Sequence, residues 1–232
     1  MKIMVRRLLI IPARGNSKRI KNKNIKNFCG KPIIYYSLVN AKKSKLFDKI
    51  HVSTDSHKIL RIVNKLGFKI DFLRSKKFSS DHAEIIDVLR FVFNKYSSMG
   101  EQFDEIWSLS ACAPLITHKD LVLASNKLKK NKNKIILPIT EFSAPIEWAF
   151  KLKNKSKALI PLKNGAYKIR SQDLEKKYHD TGSFVCMSKH TLISKNRLID
   201  KNYLGVIIPK NRSIDIDNDA DWRLAESAFR NI

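Results

Sequence analysis

Two aspartates one residue apart, Asp215 and Asp217 in "SIDIDNDADW", and a loop with seven cations and no acid are the parts of this chain best equipped for chemistry. In an extended strand, side chains two positions apart share a face. Asp215 and Asp217 then stand together while Ile214 and Ile216 turn to the core. Adjacent carboxylates repel unless a cation lies between them. Mg2+ suits the pair, since it takes one or two carboxylates and completes its shell with substrate phosphates. The loop runs from Pro12 to Pro32 and carries Arg14, Lys18, Arg19, Lys21, Lys23, Lys26 and Lys31. Arg14 can clamp phosphate oxygens in bidentate fashion, and Gly15 would let backbone amides approach an anion. The pattern matches neither the GxxxxGK loop of P-loop proteins nor the GxGxxG of dinucleotide folds.

Other motifs divide between chemistry and architecture. In "FLRSKKFSSDHAE", Arg74 follows an apolar run, and Ser80 or Asp81 reads as the N-cap of the next helix, a setting suited to anions or ribose hydroxyls. His179, in "KYHDTGS", is the histidine whose small neighbours would let it line a cleft. Asn218 or Asp219 reads as a helix N-cap, with Asp221 in the first turn against the helix dipole. "DIDNDADWRLAE" has acids at four calcium-loop positions, but Ala220 stands where that loop needs glycine, and a strand-like run precedes it. Cys112 reads as a small packing residue at a strand end.

The elements needed to hold these residues follow from periodicity. Short apolar runs, "RLLIIP", "KIHVSTD", "FKIDFLR", "EIWSLSA" and "KIILPIT", predict strands. Between them, "GKPIIYYSLVNAKKS" predicts a helix with Pro32 near its first turn, "SHKILRIVNKLG" one from Ser56 to Gly67, and "THKDLVLASNKLKK" one from Thr117. Strand–helix alternation with short connections predicts a mostly parallel α/β sheet wrapped by helices. The alternation breaks at about 141–180, where "WAFKLKN" and "KALIPL" look like hairpin arms, so this stretch reads as an insert. The core resumes at "TGSFVCMS" and closes with the helix "DADWRLAESAFRN".

The totals set limits. The chain has 232 residues, and its formal charge of +25 attracts phosphorylated metabolites, nucleic acid and anionic membranes alike. Three scattered cysteines form no metal or disulfide pattern and read as reduced thiols, which points to the cytoplasm. The opening segment predicts no signal peptide, and no run is long enough to span a bilayer. A basic nucleic-acid-binding protein remains the alternative of another class, though no helix-turn-helix, zinc-finger or RRM signature is present.

Taken in order, "IPARGNSKRIKNKN", "GKPIIYYS", "FDKIHVSTDS", "FLRS…SSDHA", "APLIT" and "SIDIDNDADW…AE" resemble the acylneuraminate cytidylyltransferase family. The stretch "RSQDLEKKYHDTGSF" is most similar to the branch that activates pseudaminic acid. The resemblance implies one cytidylyltransferase domain over 1–232, a three-layer, Rossmann-like and GT-A-like sandwich with a dimerisation arm at about 141–180. It implies a Mg2+-dependent transfer of CMP from CTP to a nine-carbon acid sugar, with sialic, legionaminic and 3-deoxy-manno-octulosonic acids as alternatives. By resemblance, Arg14 and Lys23 meet the CTP phosphates, and Gly15, Asn16, Ser17 and Asn24 complete the nucleotide loop. Arg74 and Ala83 border the cytidine pocket, Asp215 and Asp217 hold Mg2+, and Asp217 joins Arg14 and Lys23 as a catalytic residue. Gln172, His179, Asp180 and Thr181 meet the sugar. The expected partners are CTP, the acid sugar and a second copy of the chain, with no specific nucleic acid and no membrane.

Overall fold

The computed structural model describes residues 5–79, 84–154, 156–194 and 202–231. The strands are β1 (Arg7–Pro12), β2 (Asn27–Phe28), β3 (Lys31–Pro32), β4 (Lys49–Ser53), β5 (Glu105–Leu109), β6 (Ile135–Glu141), β7 (Phe150–Leu152), β8 (Leu159–Pro161), β9 (Tyr178–Asp180), β10 (Phe184–Ser188) and β11 (Tyr203–Ile207). The helices are α1 (Ile34–Ser44), α2 (His57–Lys65), α3 (Ile85–Ser98), α4 (His118–Lys130), α5 (Lys189–Ile193) and α6 (Asp219–Arg230).

The main sheet has the order β11-β6-β10-β5-β1-β4, with β9 added beside β6. β4, β1 and β5 pair in parallel, as do β6 and β11, while β10 runs against both of its neighbours. Five strands therefore share one direction, and β9 and β10 oppose them. Alternation along β1 sorts its apolar residues to two faces. Leu9 and Ile11 pack with α1, α2 and α4, whereas Leu8 and Ile10 pack with α3 and α5. Each such side chain taken fully out of water contributes roughly 1.5–3 kcal/mol. The result is a three-layer sandwich with a mixed, mostly parallel sheet.

A satellite core joins Ile20 and Phe28 of the basic loop to Cys112, Leu115, Ile216, Trp222 and Ala225. It fixes the loop against α6, although the two are some 200 positions apart in the chain.

Several expected elements differ. "FKIDFLR" is not a strand: Asp71 is drawn to Tyr96 Oη at 2.8 Å and Lys49 Nζ at 3.2 Å, and only Arg74 N bonds back to Thr54 O. Pro32 sits in β3, opposite Asn27, and α1 begins at Ile34. Ser80 and Asp81 lie outside the described residues, and α3 has Glu84 at its N-cap. Residues 213–217 form no regular element and join no sheet. Their Ile-Asp alternation is satisfied by the satellite core instead, with Ile216 buried and Ile214 packed beside it. The 141–180 stretch leaves at the end of β6, forms the β7–β8 hairpin and returns through β9.

One buried network under α3 carries a pH dependence. His51 is fully buried, stacks 4.4 Å from the Phe72 ring, and has Nδ1 3.1 Å from Tyr96 Oη. Tyr96 spends its proton on Asp71, so Nδ1–H of His51 must be the donor between them. Burial, with help from the Lys49 and Arg74 charges and against Asp71, lowers the imidazole pKa to about 4. The unfolded chain, with an ordinary histidine, binds this proton more tightly. The contribution is therefore intact above about pH 6.5 and is lost as pH falls towards 4, at about 1.4 kcal/mol per pH unit. Urea unfolding at pH 6.5 and pH 5 should show this loss in the native chain and not in His51→Phe. Equal slopes in both would count against it.

Candidate active site

The basic loop leaves β1 at the carboxyl edge of the sheet, where open α/β folds bind ligands. Ala13 N donates to Ser53 O at 2.9 Å, and Gly15 N donates to Asp55 Oδ1 at 2.8 Å. A Cβ on Gly15 would lie 2.8 Å from Ser56 Cβ. Gly15 is thus needed for close approach to the start of α2, and its amide is spent on Asp55. The expectation that this amide faces an anion is corrected. The Gly15→Ala variant should cost about 1–3 kcal/mol by overpacking, read as a lowered urea midpoint. Asn24 Nδ2 donates to Arg14 O at 2.9 Å, latching the loop across its own turn.

An open cleft of about 400 Å³ results, walled by Arg14, Lys18, Arg19, Lys23 and Arg74 on one side and Ser110, Ala111 and Cys112 on another. No acid lines it among the described residues. Ser17 and Asn24 also line it, while Asn16 is exposed and does not. Burial pushes the Cys112 thiol up to about 12, against the pull of Lys23. Its sulfur lies 3.4 Å from Asn24 Oδ1, the place of a packing residue and weak donor.

Arg74 is 7% exposed, with Nη1 donating to Phe78 O at 3.3 Å. Its Nε and Nη2 are buried and meet no acceptor among the described residues. Burial depresses its pKa, Asp55 opposes this, and the Arg14 charge adds to it. Such a half-satisfied guanidinium is costly and presents a planar two-donor fork. Ala83 lies outside the described residues.

The aspartate pair stands beside this cleft. Asp217 meets Arg19 Nη1 at 2.5 Å and Lys23 Nζ at 3.5 Å. Lys23 Nζ also donates to Ile216 O. Burial, then the Asp217 charge, raises the pKa of Asp215, while Lys23 and Arg19 oppose the rise. Asp221 is not part of the pair: its carboxylate accepts from Asp217 N and Asn218 N, and Asn218 caps α6 in return, a reciprocal capping box. Among the described residues no three His, Cys, Asp or Glu side chains are grouped to hold a metal. Two carboxylates beside a substrate-sized cleft are a donor set that would fit Mg2+. Arg19 went unremarked among the loop cations in the sequence. Its pairing with Asp217 joins positions 198 residues apart, so no local spacing signals it.

A second cleft of about 540 Å³ opens off the first and shares Pro12, Ile85 and Ser110 with it. Of the sequence-predicted sugar residues, Asp180 lines this cleft. The His179 ring packs 4.7 Å from Phe142, with Nδ1 3.0 Å from Asp180 O. Thr181 is buried and bonds Ser183 Oγ at 2.9 Å. Gln172 lines a separate groove on the arm with Phe142 and Lys177. Within one chain these four residues do not converge.

The profile of a family described as "Cytidylyltransferase" matches residues 8–207. Among curated proteins, the chain is 35% identical to a pseudaminic acid cytidylyltransferase of Campylobacter jejuni subsp. jejuni, over 97% of each chain. It is 26% identical to a CMP-N,N'-diacetyllegionaminic acid synthase of Legionella pneumophila, over 96% of this chain and 95% of that protein. Among solved structures, a CMP:2-keto-3-deoxy-manno-octonic acid synthetase complexed with CTP superposes with a TM-score of 0.73 at 16% identity. The match covers 97% of this chain and 99% of that one, a likeness of fold. With a family match over most of its length and a relative above 30% identity end to end, the chain belongs to the cytidylyltransferase family and is a nucleotidyltransferase.

Proposed function

We propose that this enzyme transfers CMP from CTP to pseudaminic acid and releases pyrophosphate. The observation that carries the substrate assignment is the 35% identity, end to end, to a pseudaminic acid cytidylyltransferase. The cleft supports the CTP half, because five cations and, among the described residues, no acid line a space sized for a nucleotide.

In this reading the triphosphate lies along Arg14, Lys18 and Lys23, and cytosine meets the guanidinium of Arg74, which also lines the cleft. Asp215 and Asp217 would hold Mg2+, which would supply a Lewis acid and a template. The chain's own groups do the rest. Arg14 and Lys23 neutralise the charge that grows on the departing pyrophosphate, and the buried Ile216 holds both aspartates in register with Lys23. Bound CTP offers Arg19 phosphate oxygens in place of Asp217. The anomeric hydroxyl attacks the α-phosphorus in line from the side of the second cleft. A coupled pyrophosphate assay with CTP, Mg2+ and pseudaminic, legionaminic, sialic or 3-deoxy-manno-octulosonic acid tests the assignment. Release with pseudaminic acid is expected, and release with another acid alone would move the substrate.

A homodimer built on the arm belongs to the same reading. Leu152, Leu159, Leu162 and Tyr167 are 49%, 60%, 66% and 65% exposed, an apolar patch that a partner would cover. Light scattering should report two copies, and Leu159→Glu with Leu162→Glu should give one. A native monomer would contradict the arm's role. Cytoplasmic residence, where CTP is found, goes with the proposal, and no described helix is long and apolar enough to cross a membrane.

A further inference from the structure

Charge is spread unevenly over the two faces of the sandwich. α1, α2 and α4 cover one face, with Leu38, Ile59, Val63 and Leu121 turned to the sheet and α1 packed on α4. These helices hold two, three and four lysines or arginines, against a single acid, Asp120. Asp120 is buried and gripped by Arg212, with Nη1 and Nη2 donating to its two oxygens at 2.6 and 3.0 Å, so it lends the face no free negative charge. Lys127 donates to Gly205 O at 2.6 Å. The other eight cations are exposed, and none forms an ion pair among the described residues. On the opposite face, Arg90 of α3 and Lys189 of α5 each lie within 4.0 Å of an acid, Asp87 and Asp104.

Direction concentrates the charge further. β1, β4 and β5 run towards the clefts, so the helices that follow them run away. Their cationic ends, with Lys42, Lys43, Lys65, Lys129 and Lys130, gather at the edge of the sheet remote from the catalytic cleft. Lysine at a helix C-terminus offsets the dipole. That gives no reason for the exposed Lys58, Arg61 and Lys119 nearer the helix starts, nor for the missing acids.

The make-up of the face selects its partner. All of its cations but Arg61 are lysines, hydrated point charges suited to a diffuse negative surface and not to bidentate readout. No exposed aromatic stands on these helices to stack a base. The one large apolar side chain they expose is Leu123, 56% accessible, on the outward stripe of α4 between Lys119 and Lys130. We propose that the α1–α2–α4 face docks on an anionic lipid bilayer, its lysines among the headgroups, leaving the catalytic cleft clear of the lipid. Such docking lies on the surface and needs no spanning helix, so it revises the expectation of no membrane partner. It is independent of the reaction assigned to the cleft.

Vesicle co-sedimentation of the full chain tests this. The chain should pellet with phosphatidylcholine vesicles containing phosphatidylglycerol and stay in solution with phosphatidylcholine alone. Raising salt from about 0.1 M to 1 M should weaken binding at least about tenfold, because surface charges are then screened within about 3 Å. Combining Lys43→Gln, Lys65→Gln, Lys129→Gln and Lys130→Gln should weaken it about 10²-fold or more, at about fivefold per lysine. Pyrophosphate release by that variant should match the native enzyme, since none of the four lines a cleft. Combining Lys95→Gln, Lys189→Gln, Arg223→Gln and Arg230→Gln removes the same charge elsewhere and should weaken binding less than about tenfold. No pelleting with phosphatidylglycerol, or equal losses in the two variants, would overturn the proposal. Tighter binding to duplex RNA than to the vesicles, at equal phosphate and salt, would make the partner a nucleic acid and overturn it too.

Discussion

Asp217→Asn is expected to lower turnover by at least 10²–10³-fold while the protein keeps its fold and melting temperature. The size of the loss follows from what the residue does. It is one of two carboxylates that would hold Mg2+, and it pairs with Lys23 and Arg19 at the cleft wall. The amide keeps the shape but loses the charge that would hold a divalent cation. The stability forecast follows from exposure. Asp217 is 37% exposed and Arg19 69%, so their ion pair contributes on the order of 0–1 kcal/mol. The cap of α6 depends on Asp221 and Asn218, and Asp217 takes part only through its backbone N–H. Steady-state turnover beside a thermal melt reads both quantities. A folded Asp217→Asn with near-native turnover would remove the aspartate pair from the mechanism.

Arg74→Met should cost about 10²-fold or more in kcat/KM for CTP, and it should narrow the preference for CTP over UTP. Cytosine presents two adjacent acceptors, O2 and N3, whereas uracil carries a hydrogen on N3. Nε and Nη2 of Arg74, without an acceptor among the described residues, form a donor pair matched to the first base and mismatched to the second. Arg74→Lys should rescue little, because an ammonium offers a point charge and no planar fork. Stability should move the other way. A buried, half-satisfied guanidinium is replaced by an apolar side chain of similar length, a change that is often neutral or stabilising. Loss of CTP affinity without loss of melting temperature is therefore the signature. An Arg74→Met enzyme that still prefers CTP as strongly as the native one would show that the base is read elsewhere.

The frame of the sandwich was legible because its signals are local. Apolar runs at β1, β4, β5 and β6 and the caps at Ser56, Thr117 and Asn218 use only neighbouring residues. The cationic loop and the aspartate pair were legible for the same reason. The failures share a cause as well. The 213–217 alternation looked like a strand, but the apolar half of the pattern needs only a buried surface, and the satellite core around Trp222 supplies it. "FKIDFLR" has strand composition, yet Asp71 is held by Tyr96 and Lys49, groups its own segment does not contain. Gly15 also meets a constraint its own segment does not announce, the close approach of Ser56. Arg19 with Asp217, and a cleft assembled from β5, β6, β10 and α3, are long-range facts with no periodic trace.

The most direct test of the central claim is the fate of the phosphorus atoms. The enzyme is incubated with CTP, Mg2+ and pseudaminic acid, and 31P NMR follows the mixture. Cleavage between the α- and β-phosphorus with transfer predicts one new phosphodiester resonance and one pyrophosphate, in equal amounts, with neither appearing when the sugar is omitted. CDP with orthophosphate, or pyrophosphate with free CMP and no phosphodiester, would mean that the cleft binds CTP for a different reaction.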